Sequence, residues 1–535
     1  MYIAYKRIAW FNASKPLPSQ FTILVRSISP YGGRNYGEIV ERFFLEYYHS
    51  TYHSKSMVYK SSRIHYLLDQ AKKLIKQIGQ LRSKTQLQGK TERRKCFGFI
   101  QPNIEDFEMK LRNMGKEVRE EQYQLRNKEI PASFVTFKSR YAASVALRMR
   151  QVVDPTKWVT EEAPEPGDVQ WRFFSSSFIG RWTRQLVALS SYAIFTLLFL
   201  VPVVFVQGLA NLNQLQKLFP FLGGILKLKV VSQLVTGYLP SLILDASLFL
   251  AESVVMILSK FQGFISVNQT ERSACFKLLL FTIWNVFFAN ALSGSALSDI
   301  GVFLEPKKIP TVLASSFSSQ AAFFISIVVT SGWTSLAAEL FQLIPLLLSY
   351  IQRIIPGEDE FRAPSTPYVV EIPRILLFGL VGVTFFFLAP LILPFVFIYF
   401  CAGYIIYKNQ LLNVYEPIYE TNGKYWFLVH NTTIFSLVFM HIIAIGIFSL
   451  KKLALAGSLI GPLPILTLIF NDYCRRRFRP MFDGYPIECL VRKDKEDESD
   501  PGMAQFFDEL ANAYEDPAFM PFPNGERESL VAPLL

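Results

Sequence analysis

The chain has 535 residues, 51% of them hydrophobic, and a formal net charge of +12. Such an excess of Lys and Arg raises polyanion binding. The basic residues, however, crowd the N-terminal third and the flanks of apolar runs, which is the pattern of cytoplasmic flanks in a membrane protein. Cys96, Cys275, Cys401, Cys474 and Cys489 are scattered and imply neither a disulfide framework nor a zinc site, and no apolar h-region follows Met1, so no cleavable signal peptide is expected.

Up to about residue 170 the chain reads as a soluble α/β segment. Gln20-Phe21-Thr22-Ile23-Leu24-Val25-Arg26 predicts a strand, residues 37–48 a helix with Ile39, Phe43, Phe44 and Tyr47 on one side, and Met57-Val58-Tyr59 a short second strand. A helix over 61–82 follows, then a basic polar stretch, then a charged surface helix over 104–127. Ala132-Ser133-Phe134-Val135-Thr136-Phe137 predicts a third strand and 139–151 a last helix. This order is that of a ferredoxin-like module with a long helical insertion. Residues 133–137 echo the third strand of an RNA-recognition motif, but Ile130 stands at the basic position and Ala132 replaces a base-stacking aromatic. A structural domain is therefore expected, with no nucleic-acid partner.

After a linker punctuated by Pro155, Pro164 and Pro166, apolar runs follow at 185–209, 238–259, 274–297, 320–348, 372–390, 391–407, 426–450 and 453–473. These are about eight candidate spans, each near the length a bilayer core requires. The fifth and sixth meet at Ala389-Pro390-Leu391-Ile392-Leu393-Pro394, either as a tight helical hairpin or as one kinked helix. Arg181 and Arg184 before the first span and Arg475, Arg476, Arg477 and Arg479 after the last predict that both ends are cytoplasmic. The tail from Asp494 is acidic and polar, which predicts disorder.

No P-loop, dinucleotide fingerprint or metalloprotease motif occurs, so neither an enzyme nor a cofactor nor a metal site is expected. His430 and His441 read as core histidines. The informative residues are polar ones inside the spans. Gln207 and Asn211 end the first. Asp245 and Glu252 lie two turns apart on one face of the second, where they would favour cations if they line water, or pair with Lys or Arg if they do not. The third holds Asn285, Phe288, Asn290, Ser293 and Gly294, and the fourth holds Gly332 and Glu339. Polar groups and glycines at these depths fit a pore as well as close helix packing.

Several separated motifs resemble the OSCA family of osmosensitive, calcium-permeable cation channels, related to the animal transmembrane-63 proteins. They are Trp284-Asn285-Val286-Phe287-Phe288, Ser331-Gly332-Trp333, Leu391-Ile392-Leu393-Pro394-Phe395, and Tyr407-Lys408-Asn409-Gln410-Leu411-Leu412-Asn413-Val414-Tyr415. The tail looks most like the plant hypothetical-protein-1-like subgroup. The resemblance implies an α-helical polytopic membrane protein with an anoctamin-like bundle and a cytoplasmic α+β domain of the ferredoxin or RNA-recognition type. It implies a mechanically or osmotically gated, non-selective cation channel in the plasma membrane. Each protomer would hold one pore, lined by the first five spans present here, that passes calcium, sodium and potassium. Membrane lipids would be partners, and the soluble domain would make a homodimer. Carried over, the pore face includes Asn285, Phe288, Ser293, Gly332 as a flexible point, and Glu339. The same resemblance divides the chain into a remnant of a preceding span and its flank at 1–19, the cytoplasmic domain at 20–170, the channel domain at 171–475 and a tail at 476–535. Three spans that precede the cytoplasmic domain in the family are expected to be missing, and acids at Asp245 and Glu252 depart from its pattern. A lipid scramblase of related fold and a non-conducting membrane scaffold are the alternatives.

Overall fold

The computed structural model describes residues 1–30, 33–88, 104–125, 127–175, 178–202, 229–292, 308–354, 363–417 and 419–522; within these, the side chains of 80, 82–88, 178, 229–245, 344, 348 and 351–354 lie outside the description. Helix α1 (Tyr2–Ala13) leads into an α+β unit built from strands β1 (Thr22–Arg26), β2 (Tyr52–Tyr59), β3 (Glu129–Phe137) and β4 (Val159–Glu162). Its helices are α2 (Tyr36–Tyr47), α3 (Ser62–Gln88), α4 (Ile104–Leu125) and α5 (Arg140–Arg148). The sheet order is β2-β3-β1-β4, all neighbours antiparallel, with Leu24 opposite Phe134. This is the ferredoxin-like order, with α3 and α4 inserted between β2 and β3.

Side chains alternate across the sheet. Ile23, Val25, Val135 and Phe137 pack with Val40, Phe44 and Ala146 on the helical face, while Leu24, Val58 and Phe134 face the other way. Two departures from the sequence reading are short-range. Strand β2 begins at Tyr52 rather than Met57, and β4 was read as linker. Only four residues long and close to prolines, β4 is held by pairing with β1 rather than by its own pattern.

The second unit is helical. Its elements are α6 (Phe178–Leu198), α7 (Lys229–Gln262), α8 (Val267–Phe281), α9 (Ile309–Ser319), α10 (Ala321–Ile327), α11 (Trp333–Phe341), α12 (Tyr368–Leu388), α13 (Ile392–Asn413), α14 (Trp426–Leu450) and α15 (Leu463–Phe478). Among the described residues, seven helical stretches are long and apolar enough to cross a membrane. The expected span at 238–259 falls within α7. The fifth and sixth spans form two helices, α12 and α13, with Ala389 closing the first, so the hairpin holds over the kinked helix. The protein is an integral, multi-pass membrane protein. Its core is aromatic: Phe287, Phe317, Phe324, Phe385 and Phe439 are buried where α8, α9, α10, α12 and α14 converge.

Up to residue 522 the tail departs from the expected disorder; residues 523–535 lie outside the described residues. It forms α16 (Ile487–Glu498) and α17 (Gly502–Asn512) and runs on to Pro517–Phe519 against the α+β unit. Its acids Asp494 and Asp497 are paired, and its aromatics pack on the α+β unit. Arg140, stacked on Phe21, reaches Asp494 and Asp497, while Phe506 and Phe507 pack on the same Phe21 ring. Tyr514 stacks on Phe134 with ring centroids 4.5 Å apart and donates its hydroxyl to the Pro164 carbonyl. The tail thus covers the sheet face that an RNA-binding domain would leave open.

Candidate functional site

Helix α8 does not cross the bundle as a regular α-helix. At Thr282–Phe288 it widens into a π-helical turn before resuming over Ala289–Leu292. Such turns carry one extra residue, break the regular hydrogen-bond ladder, and concentrate at functional sites. Asn285 sits in this turn, fully buried, and among the described residues neither its Oδ1 nor its Nδ2 has a hydrogen-bond partner. An unsatisfied buried amide costs about 1–3 kcal/mol. Asn290, also buried, instead folds back on its own helix, its Nδ2 donating to the Val286 carbonyl at 2.6 Å. Phe288 sits edge-on to Phe439, with centroids 5.1 Å apart, and also meets Phe317.

The fourth span repeats the device. Between α10 and α11 it passes through a second π-helical turn, Val328–Gly332. Gly332 closes the turn, and a Cβ there would lie 3.3 Å from the Tyr399 ring and 3.4 Å from Phe378. Glycine therefore lets the fourth span sit directly on α12 and α13. One face of α11 then tracks α13: Gly332 on Tyr399, Leu336 on Gly403, and Glu339 beside Gln410.

Glu339 is only 9% exposed and does not extend to the headgroups. The Tyr415 hydroxyl donates to its carboxylate, and Gln410 Nε2 donates to its carbonyl at 2.6 Å. Gln342, in a left-handed conformation (φ 46°) just past α11, donates to the Tyr415 oxygen at 3.0 Å. A second polar group lies alongside. On α12, Glu371 pairs with Arg374 and accepts the Tyr407 hydroxyl from α13. Glu371 and Arg374 both act electrostatically on Glu339, and Glu252 of α7 acts on Arg374. Charged groups of three helices, α7, α11 and α12, thus act on one another, and α13 joins them through the Tyr407 and Gln410 hydrogen bonds. On α8, Lys277 is buried and donates to Ser259 (2.8 Å) and Gln262 (2.7 Å) on α7.

The α+β unit is clamped to these helices. Val169 bridges to Ser266 in the turn between α7 and α8, and the Gln170 amide donates to the Ile265 carbonyl at 2.6 Å. Asp168 accepts the Ser266 hydroxyl and, at 2.9 Å, the amide of Asn268, so the linker carboxylate caps the start of α8. Burial pushes the Asp168 carboxyl above its ordinary value, against these hydrogen bonds, which favour the charged form.

Of the residues singled out from sequence, the structure brings Glu252 and Glu339 into one polar group and sets Asn285 and Gly332 in the two π turns. Gln207, Asn211, Ser293 and Gly294 lie outside the described residues, as does the side chain of Asp245. Sequence reasoning missed Glu371, Arg374, Tyr407, Gln410, Tyr415 and Lys277. Lys277 carried a usable signal, a lone charge inside an apolar run. Tyr407, Gln410 and Tyr415 fall in the 407–415 motif, which marks the family but not their contacts. His430 bonds Asn471 at 3.1 Å, and no cluster of three or more His, Cys, Asp or Glu could hold a metal among the described residues.

Residues 184–448 match a family described as "Calcium-dependent channel, 7TM region, putative phosphate", and residues 20–173 match "Cytosolic domain of 10TM putative phosphate transporter". The Arabidopsis thaliana protein named hyperosmolality-gated Ca2+ permeable channel 2.3 is 51% identical over 522 residues, covering 97% of this chain and 74% of that protein. Channel 2.2 of the same plant is 40% identical over 518 residues, covering 96% of this chain and 68% of the relative. Channel 1.8 is 32% identical over 538 residues, covering 97% and 67%. Identity at this level over nearly the whole chain, with the same cytosolic and membrane units in the same order, means that the chain belongs to the OSCA family of hyperosmolality-gated, calcium-permeable channels.

Proposed function

We propose that this protein is an osmotically gated, calcium-permeable cation channel of the plasma membrane, opened by membrane tension and passing sodium and potassium as well as calcium. The observation that carries the reading is the pair of π turns in neighbouring spans, one holding the buried, unpartnered Asn285 and the other closed by Gly332. Breaks of this kind are unfavourable in a merely structural bundle. The names of the relatives support the same activity. In this reading the pore runs beside α7, α8, α11 and α12, one per protomer, with Asn285, Asn290, Gly332, Glu339 and Glu252 along it. Gln207, Asn211, Asp245, Phe288, Ser293 and Gly294 complete the proposed lining.

The charged residues at Arg475–Arg479 and the family assignment of the α+β unit as cytosolic support an orientation with both ends in the cytoplasm. The α+β unit then serves as the homodimer contact. Its clamp at Asp168 and Ser266 gives it a mechanical route to α8. The test is pressure-clamp recording of the purified chain in liposomes. Currents that rise with suction and carry calcium support the channel. Lipid scrambling without current, read by dithionite quenching of labelled vesicles, would replace it with a scramblase.

A further inference from the structure

The last span ends differently from the others. Along α15, Ile465, Leu466, Ile469 and Phe470 are all exposed, so this apolar surface faces the bilayer. Arg475 lies five residues beyond Phe470, a rise of about 7.5 Å, which sets it at headgroup depth. Tyr473, in between and exposed, has the amphipathic ring typical of that layer.

Arg475, Arg476, Arg479, Pro480, Asp472 and Asp483 line a shallow cavity of about 390 Å³. Two of the arginines already hold carboxylates, Arg476 on Asp472 at 2.9 Å and Arg479 on Asp483 at 3.9 Å, yet both pairs are exposed. Exposed pairs of this kind contribute little and exchange readily for a better anion. Among the described residues Arg475 has no carboxylate at ion-pair distance, so three guanidinium groups line the cavity with two acids.

We propose that this cavity binds the headgroup of an anionic phospholipid in the leaflet next to the α+β unit. Planar guanidinium groups grip phosphate oxygens in a bidentate way, and clusters of Arg directly beyond a membrane helix are attracted to anionic lipid surfaces. The continuity of the cavity with the bare apolar face of α15 selects a lipid, whose acyl chains would lie along that face. A second copy of the chain seated here would bring like charges together. The site stands independently of whether the chain conducts ions.

The test titrates the full chain, in neutral detergent, with dioctanoyl phosphatidylinositol bisphosphate and follows binding by thermophoresis. Dioctanoyl phosphatidylcholine should bind at least about tenfold more weakly. The triple variant Arg475→Gln, Arg476→Gln, Arg479→Gln should lose affinity by roughly 100-fold. The matching triple Lys variant should stay within about tenfold of the parent, because charge is kept and only the bidentate geometry is lost. Should the Gln triple not elute as a single folded species, Arg475→Gln alone should weaken binding about fivefold. An unchanged affinity in the Gln variants would overturn the proposal. So would inorganic phosphate displacing the lipid at equal concentration, since that would mark a free-phosphate site.

Discussion

The Tyr415 phenol donates its proton to the Glu339 carboxylate, joining the end of α11 to the segment that follows α13. These two residues are 76 positions apart, and Gln342 and Gln410 close the contact from both sides. A carboxylate in the bundle is held here by these hydrogen bonds. In the proposed channel this bond is assigned to the closed state, since it ties α11 to the segment after α13. Loss of the bond should then favour opening. Glu339→Gln and Tyr415→Phe should each lower the tension for half-maximal opening and leave ion selectivity unchanged. A hydrogen bond to a charged group contributes about 1.5–3 kcal/mol, a shift of roughly 10- to 150-fold in the opening equilibrium at fixed tension. The double variant should shift no further than Tyr415→Phe alone, because Glu339→Gln, which keeps an acceptor oxygen, only weakens the same contact. Additive shifts in pressure-clamp curves would separate the two residues.

Glu252 has a different role. It offsets the charge of Arg374 beside the proposed path. Glu252→Gln leaves Arg374 less compensated, and the resulting positive potential opposes a divalent ion more than a monovalent one. Calcium permeability relative to sodium should fall, read from the reversal potential under bi-ionic conditions. A reversal potential equal to that of the parent would remove Glu252 from the path.

Asp168 makes a pH prediction. Its carboxyl is raised above the ordinary carboxylate value, first because it is buried. The folded state therefore holds this proton more tightly than the unfolded state. The group's stabilising contribution is complete below the ordinary carboxylate value and is lost as pH rises through the folded value. Asp168→Asn keeps an acceptor for the Asn268 amide and removes the buried charge, so at pH 7 it should melt at or above the temperature of the parent. Asp168→Ala should melt lower, by an amount matching a lost cap of about 0.5–2 kcal/mol. On acidification from pH 7 toward pH 5 the gap between the Asn variant and the parent should narrow. A gap that widens would reverse the assigned sign.

Much of the architecture was legible because burial imposes period. Alternation located β1 and β3, and continuous apolar runs located the spans. What escaped was fixed by partners distant in sequence. The acidic tail folds because Arg140 receives Asp494 and Asp497 and Phe134 receives Tyr514, neither of which the tail's own composition reveals. Glu371 and Arg374 lie at the mouth of a span, where charge is ordinary, and only the bundle shows that Tyr407 and Glu252 turn toward them. The π turns escape a periodicity analysis altogether, since one added residue in a turn does not alter an all-apolar pattern. The Asn and Gly that mark them were visible.

The tail gives the firmest structural test. Tyr514 is almost wholly buried against Phe134. Truncating a buried aromatic to Ala typically costs about 3–5 kcal/mol. Tyr514→Ala should therefore speed amide hydrogen exchange across α16 and α17 by at least roughly 100-fold while leaving α12 and α14 protected. Equal protection of the tail in both proteins would mean that the sheet contact does not hold it.

The central claim is that this chain forms a tension-gated path for calcium. The most direct measurement is single-channel recording under stepped suction, with the purified chain in liposomes and calcium as the only permeant cation on one side. The account predicts unitary currents whose open probability rises with suction and whose reversal potential follows the calcium gradient, with Glu339→Gln displaced to lower suction. Patches that contain the folded protein yet stay silent across the whole suction range, with calcium and with sodium, would contradict it.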